Sequence, residues 1–280
     1  NDNNEIVFAN NKLNVRDLRL SSDDNKVRIY QSSATGLEMA LSGFDASIIN
    51  DLWNEPKLDF RGEYDLLFGL EDIFSGYGLY GTIFMDTLSI NEDDWGSVDL
   101  EFSSQNLKSP FDFDFRMQRD EQYIDAAGIF FPKNVSTKTH NGLPTEYFDF
   151  DLDMENVPLA TVEYFIPLVF SESDGYLDFY ANLSGIPANV GMRGDAAIKD
   201  GSLKVNYLNT TYIFDRLDID VLPGYFDFSQ NTIKDEIGNV ARIEGGIGHR
   251  VFKNFYYDFN LVANELLAFN TQKGDNDTYY

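Results

Sequence analysis

The chain is written in alternation. A β-strand sends successive side chains to opposite faces, so apolar residues at every second position predict a sheet with one apolar and one polar face. In 58–68, Leu58, Phe60, Tyr64, Leu66 and Phe68 alternate with Asp59, Arg61, Glu63 and Asp65, and Gly62 falls on the apolar row. Residues 111–117 set Phe111, Phe113, Phe115 and Met117 against Asp112, Asp114 and Arg116. Residues 148–154 set Phe148, Phe150, Leu152 and Met154 against Asp149, Asp151 and Asp153. The same rule runs through 98–102, 177–183, 203–207, 217–221 and 255–263. Asp174-Gly175, Asp200-Gly201, Ser75-Gly76 and Gly238-Asn239 punctuate these runs with residues that favour turns, at the spacing of β-meanders.

Helix is predicted only in short pieces. One spans 157–166, with Asn156 as its cap, Pro158 in the first turn, and Leu159, Val162, Phe165 and Ile166 on one face; the other spans about 45–53 and ends at Trp53. They precede similar strands, Leu58-Asp59-Phe60 and Leu177-Asp178-Phe179, which reads as a weak internal repeat. A helix-then-meander unit stacked end to end would make an elongated, solenoid-like sheet. Residues 133–146 read as a long polar loop. Period alone leaves two architectures open. In a closed sandwich the Phe and Tyr rows are core, whereas in a long curved sheet they line a groove that can hold acyl chains.

Charge narrows the partners. Against 47 Asp and Glu stand 21 Lys and Arg, a formal net charge of −26, which repels phosphate backbones and excludes nucleic acid and anionic membrane surfaces. Residues 1–185 hold 34 of the acids and 12 of the bases. Hydrophobic residues at 43%, with 24 Phe and 16 Tyr, are too many for an acidic disordered chain. With no Cys, and His only at His140 and His249, there is no disulfide framework or thiolate metal site and little imidazole chemistry. Asn1 to Glu5 lack a signal-peptide pattern and no run of roughly 18 apolar residues occurs, so the chain is expected to be soluble, cleaved, or a piece of something longer.

Carboxylates this numerous always supply suggestive pairs. Asp149, Asp151 and Asp153, with Asp112 and Asp114 nearby, could be a glycosidase pair or a hard-cation site, but they fall on polar strand faces and read more simply as a wetted surface. Residues 91–94 and 275–277 lack the spacing of a calcium loop. Gly245-Gly246-Ile247-Gly248 lies within an apparent strand and reads as a bent piece of sheet, not a phosphate loop. No catalytic residue, metal or cofactor is expected, and the protein is read as a non-enzyme.

The run from Asp200 through Leu203, Val205 and Tyr207 to Phe214, then Asp235-Glu-Ile-Gly-Asn239 and Phe252-Lys-Asn-Phe255, resembles the TamB family of translocation and assembly module proteins from Gram-negative envelopes. Residues 264–271 and 273–277 are similar to the C-terminal domain of one branch, and 157–186, a short helix then a strand, to the family's repeat. The match covers 157–280, and residues 1–156 agree in the style of repeat. The resemblance implies a β-taco, an all-β, elongated, U-shaped sheet shared with AsmA-like bridge proteins: an N-terminal part, 1–156, and a C-terminal module, 157–280, in one continuous unit. It implies a periplasmic protein anchored in the inner membrane and partnered with an outer-membrane barrel of the BamA/TamA type. Its apolar trough would carry phospholipid or other acyl chains, or assist insertion of outer-membrane proteins. The present chain is expected to be an internal or truncated segment, since it has no anchor and ends at Tyr280. On apolar rows of the matched region, Leu203, Val205, Tyr207, Phe226, Phe228, Phe255, Tyr257, Phe259 and Leu261 are the expected groove lining. Two rivals remain: an outer-membrane porin-like barrel, also acidic and Cys-free with alternating aromatics, and a closed β-sandwich, either a binding module or a carbohydrate-acting enzyme.

Overall fold

A computed structural model describes residues 5–9, 12–53, 58–73, 76–162, 170–206, 208–251 and 253–271. The protein is all-β, as the alternation predicts: seventeen strands belong to one large antiparallel sheet. Helix is confined, among the described residues, to two short pieces. The chain divides into two compact units, residues 1–120 with 124–150, and residues 121–123 with 151–280.

The first unit opens with a hairpin, β1 (Glu5–Ala9) and β2 (Lys12–Arg16). A meander follows through β3 (Leu18–Ser22), β4 (Asn25–Tyr30), β5 (Leu37–Asp45), helix α1 (Ile48–Trp53), β6 (Phe60–Arg61), β7 (Glu63–Glu71), β8 (Gly78–Ile90), β9 (Asp93–Ser104), β10 (Phe111–Arg119) and β11 (Gln122–Phe131). The polar loop holds a small hairpin, β12 (Thr139–His140) and β13 (Leu143–Pro144). Its turn is Asn141-Gly142, both at positive φ, the pairing that a tight hairpin prefers. Strand β14 (Tyr147–Pro158) follows.

Register carries the face pattern across the sheet. Leu20, Val27, Leu41, Leu66, Ile83, Leu100 and Phe115 stand directly opposite one another from β3 to β10. One residue along, Asp65, Asp99 and Arg116 face the other way, because the side-chain period is two. Helix α1 is tied to β6 by a reciprocal pair: Phe60 N–H donates to Asn50 Oδ1 (2.8 Å) and Asn50 Nδ2 donates to the Phe60 carbonyl (3.2 Å). Here the unit is well packed, with Ala46, Leu58, Met85, Leu88, Ile90, Val98 and Met117 buried.

The second unit continues from β14 into helix α2 (Leu159–Val162), β15 (Phe170–Ile186), β16 (Asn189–Val205), β17 (Thr210–Leu222), β18 (Tyr225–Asp227), β19 (Thr232–Asp235), β20 (Val240–Arg250) and β21 (Lys253–Ala263). One row on its apolar face is Ala181, Gly194, Val221, Phe226, Ile247 and Tyr257. Leu159 of α2 joins Ala196, Ile198, Phe214, Leu217, Ile219 and Ile243 in the buried cluster.

The helix expected over 157–166 starts two residues later. Asn156 does not cap it; that residue sits in β14 at positive φ, with its N–H donated to Asp178 and its side-chain amide to the Glu121 carbonyl. Residues 163–166 lie outside the described residues. The order of helix then strands does recur, with Leu58 just before β6 and Leu177 in the middle of β15.

At two glycines an aromatic ring leans over the backbone, and at a third two rings meet beside it. Gly81 stands between Phe68 and Phe102, whose centroids are 6.5 Å apart. Gly128, on β11 between β10 and β14, lies under Phe150, which reaches Phe113 at 6.1 Å. Gly245 stands opposite Phe259 and hydrogen-bonds through its carbonyl to Phe228 N–H, and those two rings meet edge-on at 5.6 Å. A Cβ at Gly81 would fall 2.3 Å from Phe102 Cζ, and one at Gly128 2.1 Å from the Asp149 carbonyl oxygen. Gly81→Ala and Gly128→Ala are therefore expected to destabilise the fold by about 1–3 kcal/mol each through overpacking. Gly191→Ala, whose added methyl would meet nothing closer than 3.7 Å, serves as the control in urea unfolding. Equal midpoints for all three would contradict the ring-over-glycine packing.

Candidate functional site

The apolar faces are the feature from which a site can be built. In the first unit, Phe68, Phe102 and Phe113 form a chain of neighbouring rings that branches at Phe113, to Phe111 and Phe130 on one side and to Phe150 and Phe148 on the other, with every contact within 6.5 Å. Every one is only half-buried. A Phe row at the centre of a closed core would be driven to full burial. This row lies on its sheet as a partly accessible lining.

The second unit is densest at its middle, and its side chains are most exposed on β21. Of the residues expected to line a groove, Leu203, Val205, Phe226 and Phe228 pack against the buried cluster. Phe255, Tyr257, Phe259 and Leu261, on β21, are 37% to 51% exposed and share the face of Ile243 and Ile247. Tyr207 lies outside the described residues. Phe228 with Phe259, and Phe226 with His249 and then Phe255, link the buried group to the exposed one. His249 is buried at the end of β20, which lowers its pKa. The Gly245-Gly248 stretch is indeed bent sheet: Gly245 has φ of +92°, and a Cβ at Gly246 would fall 1.9 Å from the Phe226 carbonyl oxygen.

One end of this apolar face is strapped. Asp235, 1% exposed, follows Ile233 in β19 and stands opposite Tyr212. Its carboxylate accepts from Ile237 N–H (3.1 Å), Asn239 N–H (2.8 Å), Asn239 Nδ2 (2.9 Å) and Leu267 N–H (2.8 Å). Segment 264–271 is thereby held down, with Leu266 packed on the core. Asn270 N–H donates to the Leu208 carbonyl (3.0 Å), and Asn209 Nδ2 to the Asn270 carbonyl (2.8 Å). Burial alone would raise the Asp235 pKa, but these donors outweigh it and hold the carboxyl below the usual carboxylate range.

The polar face offers a shallow cavity of about 340 Å³ in the second unit, bordered by Tyr123, Asp153, Asp178, Tyr180, Asp195 and Arg216. Its bases are engaged: Lys199 pairs with Asp178, and Arg216 with Asp218 at 2.7 Å. Asp151 accepts from Asn182 and Asp153 from the Tyr123 hydroxyl, while Asp112 and Asp114 lie on β10 of the other unit. Among the described residues no group of three or more metal-ligating side chains is gathered.

The aromatic row of the first unit was not singled out from sequence as a lining. Its alternation is plain in 111–115 and 148–150, but which Phe faces which glycine is set by inter-strand register, for which no local signal exists.

Asp235 makes the strap sensitive to acid. Its folded pKa lies below the unfolded value of about 3.9. The stabilisation is therefore fully present well above the unfolded value and is lost as pH falls through it to the lower, folded value. Asp235→Asn is expected to unfold at lower urea at pH 7 and to show a shallower further loss than the parent chain as pH falls through and below the unfolded carboxylate value. Parallel pH curves for the two would refute that role. The chain matches no family model, no curated protein and no solved structure.

Proposed function

We propose that the apolar face of each unit serves as a groove that carries lipid acyl chains, and that the protein is a periplasmic segment of a Gram-negative envelope-biogenesis factor of TamB type. The half-buried run of Phe rings in the first unit carries this reading. An acyl chain laid along the rings leaves water at about 0.8 kcal/mol per CH₂, which offsets its departure from a bilayer without any shaped pocket. Rings lying across glycines make a low, even floor, suited to a chain of variable length and unsaturation. The exposed aromatic face of β21 offers the same surface chemistry in the second unit.

The sequence likeness at 200–214, 235–239 and 252–255 supports the same assignment. It extends the reading to a full-length protein anchored in the inner membrane, working with a BamA/TamA-type barrel and with lipid, a nascent outer-membrane protein, or both, as cargo. No residue in this account performs covalent chemistry, and the reading is of a carrier and not an enzyme.

The chain purified without detergent is expected to retain phospholipid or fatty acid, read by native mass spectrometry and lipid extraction. Phe113→Asp and Phe259→Asp each place a charge where an acyl chain would lie, and each is expected to reduce loading about tenfold or more, given the several kcal/mol cost of desolvating an unpaired carboxylate. Asp114→Asn, on the opposite face, is expected to leave loading unchanged. A lipid-free monomer, or equal losses from both faces in variants that keep their β circular dichroism, would count against the groove.

A further inference from the structure

We infer that the groove selects lipids whose headgroups are zwitterionic or uncharged and disfavours anionic ones. The inference rests on the groove reading above and adds the class of ligand. Along the apolar rows traced across both units there is no Lys or Arg, so nothing on the lining can neutralise a phosphate. An acyl chain in such a groove leaves its headgroup at the margin.

The margins are acidic. Rows of the apolar face run across the strands, so the hairpin turns lie at their two edges. In the first unit the connections carry exposed Asp23, Asp24, Asp72, Glu92 and Asp120, against exposed Lys108 in the β9–β10 turn and Lys133 and Lys138 in the loop after β11. Asp23, Asp72, Glu92 and Asp120 sit at positive φ, where a turn residue's side chain is held out from the ladder.

In the second unit the outer face carries the same sign. Asp195, Asp220 and Asp227 stand directly opposite one another on β16, β17 and β18, and Asp258 follows across Gly246. Like charges so placed are unfavourable within a sheet, which makes this row a source of field and not of stability. Several bases on the outer face are engaged, Lys234 with Asp215 (3.0 Å), Lys204 with Glu172 (2.8 Å) and Arg216 with Asp218 (2.7 Å), and a phosphate would have to break such a pair to gain its contact; exposed Arg193, two residues from Asp195, is outnumbered by the four acids of the row. With a net charge of −26, the potential at the margin is negative on the scale of kT and reaches a headgroup a Debye length away. A zwitterion with no net charge feels little of it, whereas an anionic headgroup carries the full cost.

The test uses the detergent-free chain, stripped of bound lipid and incubated with vesicles of equimolar phosphatidylethanolamine and phosphatidylglycerol, the bound lipids being read by native mass spectrometry. At ~20 mM salt the bound ratio is expected to favour phosphatidylethanolamine roughly three- to sevenfold, the Boltzmann factor for one charge at about one to two kT, and to approach unity at ~1 M salt. The combined variant Asp23→Asn, Asp24→Asn, Glu92→Gln and Asp120→Asn is expected to load as much total lipid with the preference reduced, and Asn suits the positive-φ turns as well as Asp does. Equal uptake of both lipids, a preference for phosphatidylglycerol, or a preference indifferent to salt would overturn the selectivity and leave the groove standing. Uptake of neither lipid would overturn the groove itself, and the selectivity with it.

Discussion

Contact between aromatic rings across a glycine is the constraint on which the apolar faces depend. A single-layer sheet of alternating Phe would leave its rings upright and its surface ridged. Removing the Cβ from the strand between lets the rings lean over the backbone and touch at 6.1 to 6.5 Å, as they do at Gly81 and Gly128. The device fixes register at the same time. A slip of one residue would set Phe102 or Phe150 against a side chain and send the apolar row to the acidic face. Packing, register and the continuity of the lining therefore have one cause.

Separation of charge from apolar surface follows from the same register. Nearly every acid of the strands lies on the other face or in a turn, and the exception explains itself: Asp235 is buried on the apolar side and satisfied by four donors, one of them from the strap at Leu267. A carboxylate there costs desolvation, and what it secures is the closure of one end of the second unit by 264–271. On β21, by contrast, side chains of both faces, Tyr256 and Val262 as well as the row from Phe255 to Leu261, stay exposed.

Much of this was legible in the sequence. Period two assigned the strands and both faces, but of the turn pairs read, Gly238-Asn239 joins β19 to β20, whereas Asp174-Gly175 and Asp200-Gly201 lie inside β15 and β16, where the register shifts around Asp174 and where Asp200 takes a positive φ. Short helices were read in the right places with the wrong limits: at 159 the strand's own pairing carries the chain past Asn156, whose polar groups are used by Asp178 and Glu121 instead of a helix end. What could not be read was long-range. Phe68, Phe102, Phe113 and Phe150 are separated by up to 82 residues and meet only through register, and the grip of Asp235 on Leu267 spans 32. Nothing in the local pattern around a lone Asp in Lys234-Asp235-Glu236 marks it as the buried member of the pair.

The central claim is that acyl chains lie along the ring rows and nowhere else. A phospholipid bearing a photoactivatable diazirine midway along one acyl chain, loaded onto the detergent-free protein, irradiated and mapped by peptide mass spectrometry, tests it most directly. The account predicts adducts concentrated on strands β9, β10, β14 and β21, at Phe102, Phe113, Phe150 and Phe259 and their same-face neighbours. Adducts spread evenly over both faces, or gathered in the Tyr123–Asp195 cavity of the polar side, would contradict it.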